Sequence, residues 1–337
     1  VPKTAIKTDR YTKIGVVGAG AWGTALALAA AWAGARVSLW ARESEVVDSV
    51  RRHRQNATFL PGVQLPQSIR ATGDLVEAAQ NEALLLAAPA QHLRTVLRHL
   101  RPAVSPGTPI ALCAKGIELG SGKLLTEVLA EEVPACATAI LSGPSFARDV
   151  AAGLPTAVTI AGPMAVAQKL QASLSHAAFR PYASDDVVGV ALGGAAKNVY
   201  AIGCGIVSGM GLGESARAAL LARSFAELIR LGEALGARRD TLMGLSGLGD
   251  LVLTATSPTS RNFSFGLSLG KGHTRAELDR KGHPLAEGVA TAPALVARAK
   301  KERIELPIAE AVADVLSGAL ALDAAIPRLM SRPLTKE

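Results

Sequence analysis

The chain has 337 residues, 49% of them hydrophobic and only 19% charged, which suits a large buried core, favours two domains over one and excludes a disordered chain. Its net charge of +8 comes from 36 Lys+Arg against 28 Asp+Glu, a balance that suits an anionic ligand, a membrane surface or a nucleic acid. The basic residues are scattered without interleaved aromatics, which argues against nucleic acid; the densest run, Arg51-Arg52-His53-Arg54, reads as a solvated helix face.

Residues 1–12 read as a leader outside the fold. Lys3, Lys7, Arg10 and Lys13 then lead into an apolar run from Ile14 to Ala35, the order of a signal peptide or membrane anchor. Gly15, Gly18, Gly20, Gly23 and Gly34 interrupt that run, and it continues straight into another strand pattern. No integral membrane segment is therefore expected. Cys113, Cys136 and Cys204 are odd in number and widely spaced. They fit a reducing cytoplasm and argue against a disulfide framework or a zinc site.

Short apolar runs alternate with helical patterns through the first half. Strands are expected at Ile14–Val17, Arg36–Trp40, Ala83–Ala88, Pro109–Ala114, Ala135–Ser142 and Thr156–Ala161. Helices are expected at Trp22–Ala33, from Ser44 to about Gln55, from Pro89 to about Leu100, and at Leu124–Glu131. Such alternation predicts βαβ units and a mostly parallel sheet. After Ser184 the strand signals fade, and Ala, Leu and Gly recur at helical spacing. The chain thus reads as an α/β domain over 13–184, followed by an all-α domain over 185–330.

Gly18-Ala19-Gly20-Ala21-Trp22-Gly23 follows the first strand and opens a helix, the context that a G-x-G-x-x-G pattern requires. Gly18 permits the tight turn, Gly20 lets backbone approach a diphosphate, and Gly23 allows close helix–strand packing. The helix N-terminus presents N–H groups to the phosphates. The second strand ends Leu39-Trp40-Ala41-Arg42. Arg42 stands where an NAD site usually carries an acid, and its guanidinium suits a 2′-phosphate. Glu43 follows, so the cofactor is read as NADP or NAD, with NADPH preferred.

Four further segments occur in order: Ala114-Lys115-Gly116-Ile117-Glu118, Leu141-Ser142-Gly143-Pro144-Ser145-Phe146-Ala147, Gly193 to Gly203, and Gly247 to Thr254, the last leading to Ser260-Arg261-Asn262. Together they resemble the bacterial NAD(P)-dependent glycerol-3-phosphate dehydrogenases, from about Ile14 to about Pro307. The resemblance implies a Rossmann-type domain followed by an all-α C-terminal domain. It also implies hydride transfer from NAD(P)H to dihydroxyacetone phosphate, giving sn-glycerol 3-phosphate for glycerophospholipid synthesis.

The chemistry agrees. Reducing a ketone needs a proton donor within reach of the developing alkoxide. Lys197 lies in an otherwise apolar, small-residue helix, where burial or a second cation lowers a lysine pKa. Lys115 follows a strand, where open α/β sheets bind ligands, and Asp250 can balance both charges. The resemblance makes Lys197 the proton carrier and gives Lys115 contacts to substrate and cofactor, with Asn198 beside the reaction centre and Thr254 a weaker partner. Ser260, Arg261 and Asn262 offer a hydroxyl, a guanidinium and an amide to a phosphate. The resemblance assigns that triplet to the substrate, with Arg261 also touching the cofactor. It adds Gly143 and Ser145 as substrate contacts. Ala21, through backbone only, Trp22, Ala147 and Glu287 are its further cofactor contacts. Leu285-Ala286 departs from the family's paired valines, so Leu285 is not assigned.

No metal spacing appears among His92, His176, His273 and His283. Asn56-Ala57-Thr58 and Asn262-Phe263-Ser264 match the glycosylation pattern, unused in a cytoplasmic protein. Two other functions stand beside the main one. A related hydroxyacid- or phosphogluconate-type dehydrogenase would share the plan, but Ser260-Arg261-Asn262 argues against it. A non-catalytic dinucleotide sensor would not need Lys115, Lys197 and Asp250. The long helices of the second domain offer a face for a homodimer.

Overall fold

A computed structural model describes residues 9–280 and 286–331. The chain forms two compact units: Val1–Ala114 with Leu125–Val190, and Lys115–Leu124 with Ala191–Glu337. The ten-residue excursion at Lys115 thus belongs to the second unit, though it lies within 13–184.

The first unit is built on strands β1 (Lys13–Val17), β2 (Arg36–Trp40), β3 (Gln55–Asn56), β4 (Leu60–Gln64), β5 (Ile69–Thr72), β6 (Ala83–Leu86), β7 (Pro109–Leu112), β8 (Ala137–Ser142), β9 (Thr156–Ala161) and β10 (Phe179–Ser184). Eight form one sheet in the order β10-β9-β8-β7-β6-β1-β2-β5, and β3 and β4 make a separate antiparallel pair. Neighbours in the large sheet are parallel except β8 and β9. Every residue of β6 and β7 is buried, which is why they read as continuous apolar runs. The chain runs outward from β1 through β2 and β5, then crosses back to β6. That reversal places a topological switch point at the carboxyl ends of β1 and β6, where open α/β sheets bind ligands.

The Ala21–Trp32 helix is alanine-rich, a strong helix former, and residues 23 to 30 are all buried. It packs against β2 and the short Ala147–Ala151 helix, and Gly34, at φ 96°, ends it.

Several elements were not foreseen: the β3–β4 pair, β5, the Leu75–Ala79 helix, the Met164–Leu174 helix and β10. Strand β10 carries Pro181, which an edge strand tolerates because its outer N–H positions need no partner. Residues 9–12 are not a loose leader. Asp9 pairs with Lys169 at 3.0 Å, Arg10 donates to the Ala33 carbonyl, Tyr11 N–H to Ser173 Oγ, and Thr12 N–H to Glu82. Four polar ties outweigh the freedom of a short extended segment. Residues 1–8 lie outside the described residues, as do His283 and Leu285.

The basic run at 51–54 is also not a uniform solvated face. Arg51, Arg52 and His53 are exposed on the last turn of the Ser44–His53 helix, as expected, whereas Arg54 takes up φ 55° after it. Its guanidinium donates to the carbonyls of Leu65, Pro66 and Ile69, and Arg51 donates to the Ala71 carbonyl. Carbonyls just after β4 and along β5 thus draw these two cations into the structure.

The second unit has no strand longer than a single bridge among its described residues. Its centre is the Val187–Gly209 helix, which starts in the first unit and is long and apolar enough to cross a bilayer; its apolar window is wholly buried. Such burial marks a core helix. The Arg261–Gly270 helix crosses it at close range: a Cβ on Gly205 would lie 2.1 Å from the Phe263 oxygen, and one on Gly266 would lie 2.0 Å from the Ile202 oxygen. Only glycines permit that approach.

Candidate functional site

In the first unit, β1 delivers the chain into Gly18, at φ 110°, a conformation that L side chains rarely adopt. A Cβ on Gly23 would sit 1.8 Å from the Gly18 oxygen, so helix and turn close only with glycine there. Nothing lies within 4 Å of a Cβ built on Gly20. No side chain among the described residues caps the helix that follows, which leaves its first N–H groups to an outside acceptor. Open space at Gly20 and uncapped amides together fit the diphosphate of a dinucleotide. Ala21 and Trp22 form the first turn, and Trp22 Nε1 donates to the Cys113 carbonyl at 3.1 Å.

Arg42 follows β2 with its side chain 76% exposed, donating from Nη2 to Glu43 at 2.8 Å. Gly143 follows β8 at φ 148°, with a Cβ there only 2.8 Å from Val158 Cα. Ser145 Oγ donates back to the Gly143 carbonyl at 3.1 Å. Ala147 opens the short helix packed on Ala21–Trp32.

In the second unit a charged cluster lies inside an apolar helical core. Lys197 is 6% exposed and Asp250 is fully buried. Lys197 Nζ donates to Asp250 Oδ1 and, at 2.8 Å, to Thr254 Oγ1. Lys115 Nζ donates to the other carboxylate oxygen at 2.6 Å. Asp250 begins the Asp250–Thr256 helix directly after a π-helical turn, Leu245–Gly249, in which Gly249 N–H bonds the Gly244 carbonyl. That wider turn sets the register at which Asp250 enters the core, as π-bulges do at many functional sites. Thr254 stands four residues on, so both point from one face.

Taking an ammonium out of water is costly. Burial pushes the Lys197 pKa down to about 7; Asp250 opposes that shift and Lys115 adds to it. A lysine poised near neutrality can both give and take a proton. With both lysines protonated the cluster carries a net positive charge, which suits an anionic substrate and a developing alkoxide.

The Ser260-Arg261-Asn262 triplet is divided among three tasks. Ser260 Oγ caps the Arg261–Gly270 helix by accepting the Phe263 N–H, leaving its own hydrogen to donate. Arg261 is exposed. Asn262 is buried: its Nδ2 donates to Asn198 Oδ1 at 2.9 Å, and its Oδ1 accepts the Gly288 N–H at 2.9 Å. That pair of bonds ties Asn198, next to Lys197, to the start of the Glu287–Lys301 helix.

Family models described as NAD-dependent glycerol-3-phosphate dehydrogenase N-terminus and C-terminus match residues 13–167 and 186–327. The chain belongs to the NAD-dependent glycerol-3-phosphate dehydrogenase family. It is 57% identical to the glycerol-3-phosphate dehydrogenase [NAD(P)+] of Parvibaculum lavamentivorans, over 98% of this chain and 99% of that one. It is 55% identical to that of a Bradyrhizobium species, over 98% and 99%. The crystal structure of glycerol-3-phosphate dehydrogenase from Coxiella burnetii superposes with a TM-score of 0.91 at 38% identity, covering 96% of this chain and 99% of that one.

Within this dehydrogenase, sequence reasoning missed Asn56. It registered only as part of a glycosylation pattern, yet its side chain is fully buried against the glycine loop. The signal available was weak: a polar residue between a basic run and Phe59-Leu60-Pro61. Glu227 was missed as well. It is a buried carboxylate that accepts the N–H groups of Ile308 and Ala309 and the Tyr200 hydroxyl, with nothing local in sequence to announce those partners.

Proposed function

We propose that this protein is an NAD(P)-dependent glycerol-3-phosphate dehydrogenase that reduces dihydroxyacetone phosphate to sn-glycerol 3-phosphate, supplying glycerophospholipid synthesis. The observation that carries the chemistry is the buried Lys197–Asp250 pair with Lys115 and Thr254 on it. When bound, the reduced nicotinamide supplies the hydride. Lys197 Nζ gives a proton to the carbonyl oxygen as charge develops there, and takes one back in oxidation. Asp250 holds both ammonium groups in place and offsets their repulsion. Thr254 accepts one Lys197 hydrogen and so orients the others.

The remaining assignments follow the same logic. Lys115, Gly143, Ser145, Asn198, Ser260, Arg261 and Asn262 bind the phosphorylated substrate, with Arg261 and Ser260 the phosphate donors. Gly18, Gly20, Ala21, Trp22, Gly23, Arg42 and Ala147, with Lys115, Arg261 and Glu287, bind the cofactor. Arg42 favours NADPH. The domains are read as 13–184 and 185–330, although residues 115–124 cluster with the second compact unit and 185–190 with the first. None of the three cysteines forms a disulfide among the described residues, which fits a cytoplasmic location. A homodimer through the helices of the second unit completes the reading, and the mass in solution tests it.

The deciding experiment is steady-state oxidation of NADPH and NADH with dihydroxyacetone phosphate, beside Lys197→Ala. The expected result is turnover by wild type and a loss of about 10²–10⁴-fold in the variant. Wild-type protein that binds cofactor but leaves it unoxidised would overturn the assignment. Full activity in the variant would move proton transfer to another group.

A further inference from the structure

Asn56 ends the two-residue strand β3 and is 0% exposed. Its carboxamide is fully used. Nδ2 donates to the Ala19 carbonyl at 2.7 Å and to Thr24 Oγ1 at 2.8 Å, while Oδ1 accepts the Phe59 N–H at 3.1 Å. Ala19 is the middle residue of Gly18-Ala19-Gly20, and Thr24 lies in the helix that this loop opens. A segment more than thirty residues away in sequence thus grips the glycine loop from behind.

The grip has a direction. A trans peptide unit is planar, with its C=O and N–H pointing oppositely, and no peptide among the described residues is cis. Fixing the Ala19 carbonyl toward Asn56 therefore fixes the Gly20 N–H away from it. Gly20 is the position whose Cβ direction is open, the one glycine of the loop with room for a ligand against its backbone.

We propose that Asn56 is a positioning residue of the dinucleotide site, holding the Ala19–Gly20 peptide plane so that the Gly20 N–H is aimed at the cofactor's diphosphate. This rests on the reading of the glycine loop as an NAD(P) site. A carboxamide suits the task because it supplies two donors and one acceptor at one buried point. An aspartate would set a carboxylate against the Ala19 carbonyl and add negative charge near an anion. Because the diphosphate is common to NADPH and NADH, Asn56 acts on both alike, unlike a residue that reads the 2′-phosphate.

The test measures binding as well as turnover in Asn56→Ala, Asn56→Asp and Thr24→Val. Dissociation constants are measured for NADPH, NADH, ADP-ribose and 2′-AMP by calorimetry, with the melting temperature of the protein alone. Asn56→Ala should weaken NADPH, NADH and ADP-ribose by a similar factor, about 10-fold to 100-fold, and leave 2′-AMP, which has no diphosphate, within about threefold. The KM for each cofactor should rise with it, while kcat at saturation and the KM for dihydroxyacetone phosphate stay near wild type. Thr24→Val keeps the Asn56–Ala19 bond and should lose less than about fivefold. If the alanine variant does not fold, the isosteric Asn56→Asp decides: its loss of ADP-ribose affinity should equal or exceed that expected of alanine. Unchanged ADP-ribose affinity in a folded Asn56 variant would overturn the proposal while leaving the dehydrogenase reading intact. So would equal weakening of 2′-AMP and ADP-ribose, which marks general loosening. Wild-type protein that binds no dinucleotide at all would overturn both.

Discussion

Lys197 and Asp250 meet as a buried ion pair across 53 residues of sequence, inside a largely apolar helix core. The aspartate reaches no solvent, and a lysine sits on each of its two oxygens to balance its charge. That arrangement makes the proton inventory of the site sensitive to pH, to the loss of either charge and to substrate.

The first expectation is a pH dependence of opposite sign in the two directions. Lys197 is held down near 7, chiefly by burial. Below that pH it carries the proton that ketone reduction needs; above it, the neutral amine is the base that alcohol oxidation needs. For reduction, kcat/KM, which reports the free enzyme, should fall as pH rises through about 7. For oxidation of glycerol 3-phosphate it should rise over the same range. Profiles that move in the same direction would remove Lys197 as the proton carrier.

Replacing the carboxylate by its isosteric amide separates charge from shape. In Asp250→Asn two ammonium groups would face a neutral side chain, and uncompensated buried charge costs about 3–5 kcal/mol. Lys197 then titrates lower still. Expected are a lower melting temperature, a kcat reduced about 10²–10³-fold, and a reduction profile whose fall begins at lower pH. A variant as stable and as active as wild type would show that the pair is neither structural nor catalytic.

Arg42 tests cofactor choice. Its guanidinium is exposed and engages Glu43 alone among the described residues, an exchangeable partner for a 2′-phosphate. Arg42→Ala should raise the KM for NADPH by about tenfold, equivalent to one charged hydrogen bond, and leave that for NADH unchanged. Equal effects on both cofactors would place Arg42 outside the 2′-phosphate site.

Glu227 sets a stability term that can be read from pH. Burial pushes its carboxyl up to about 7 against the pull of two backbone N–H groups. An unfolded glutamate titrates near 4.3. Between those values the unfolded chain has released the proton while the folded one still holds it, so stability falls as pH rises through the window. The loss is complete above about 7 and amounts to a few kcal/mol at most. Glu227→Gln, neutral throughout, should show a flatter melting curve against pH between about 5 and 8. Parallel curves for variant and wild type would sink the idea.

Much of the fold was legible in local pattern. The strands at 36–40 and 156–161 and the glycine-opened helix carry their period and punctuation in ten or fifteen neighbouring residues. The stretch between Asn56 and Glu82 did not, because its strands are two to five residues long and are held by partners elsewhere. Strand β10 was hidden by Pro181, which argues against a strand until the edge position is known.

The site divides in the same way. Local sequence announced Gly18-Ala19-Gly20-Ala21-Trp22-Gly23 as a phosphate loop, marked Lys197 as a cation in apolar company, and set Asp250 and Thr254 one helical turn apart. Spacing along a strand or helix determines which side chains share a face, so these features need only their neighbours. No local pattern could bring Lys115 to Asp250 across 135 residues, Asn262 to Asn198 across 64, or Asn56 to Ala19 across 37. Those meetings come from packing: each is a buried polar group whose desolvation is tolerable only beside its partner, and only the folded chain puts the partner there.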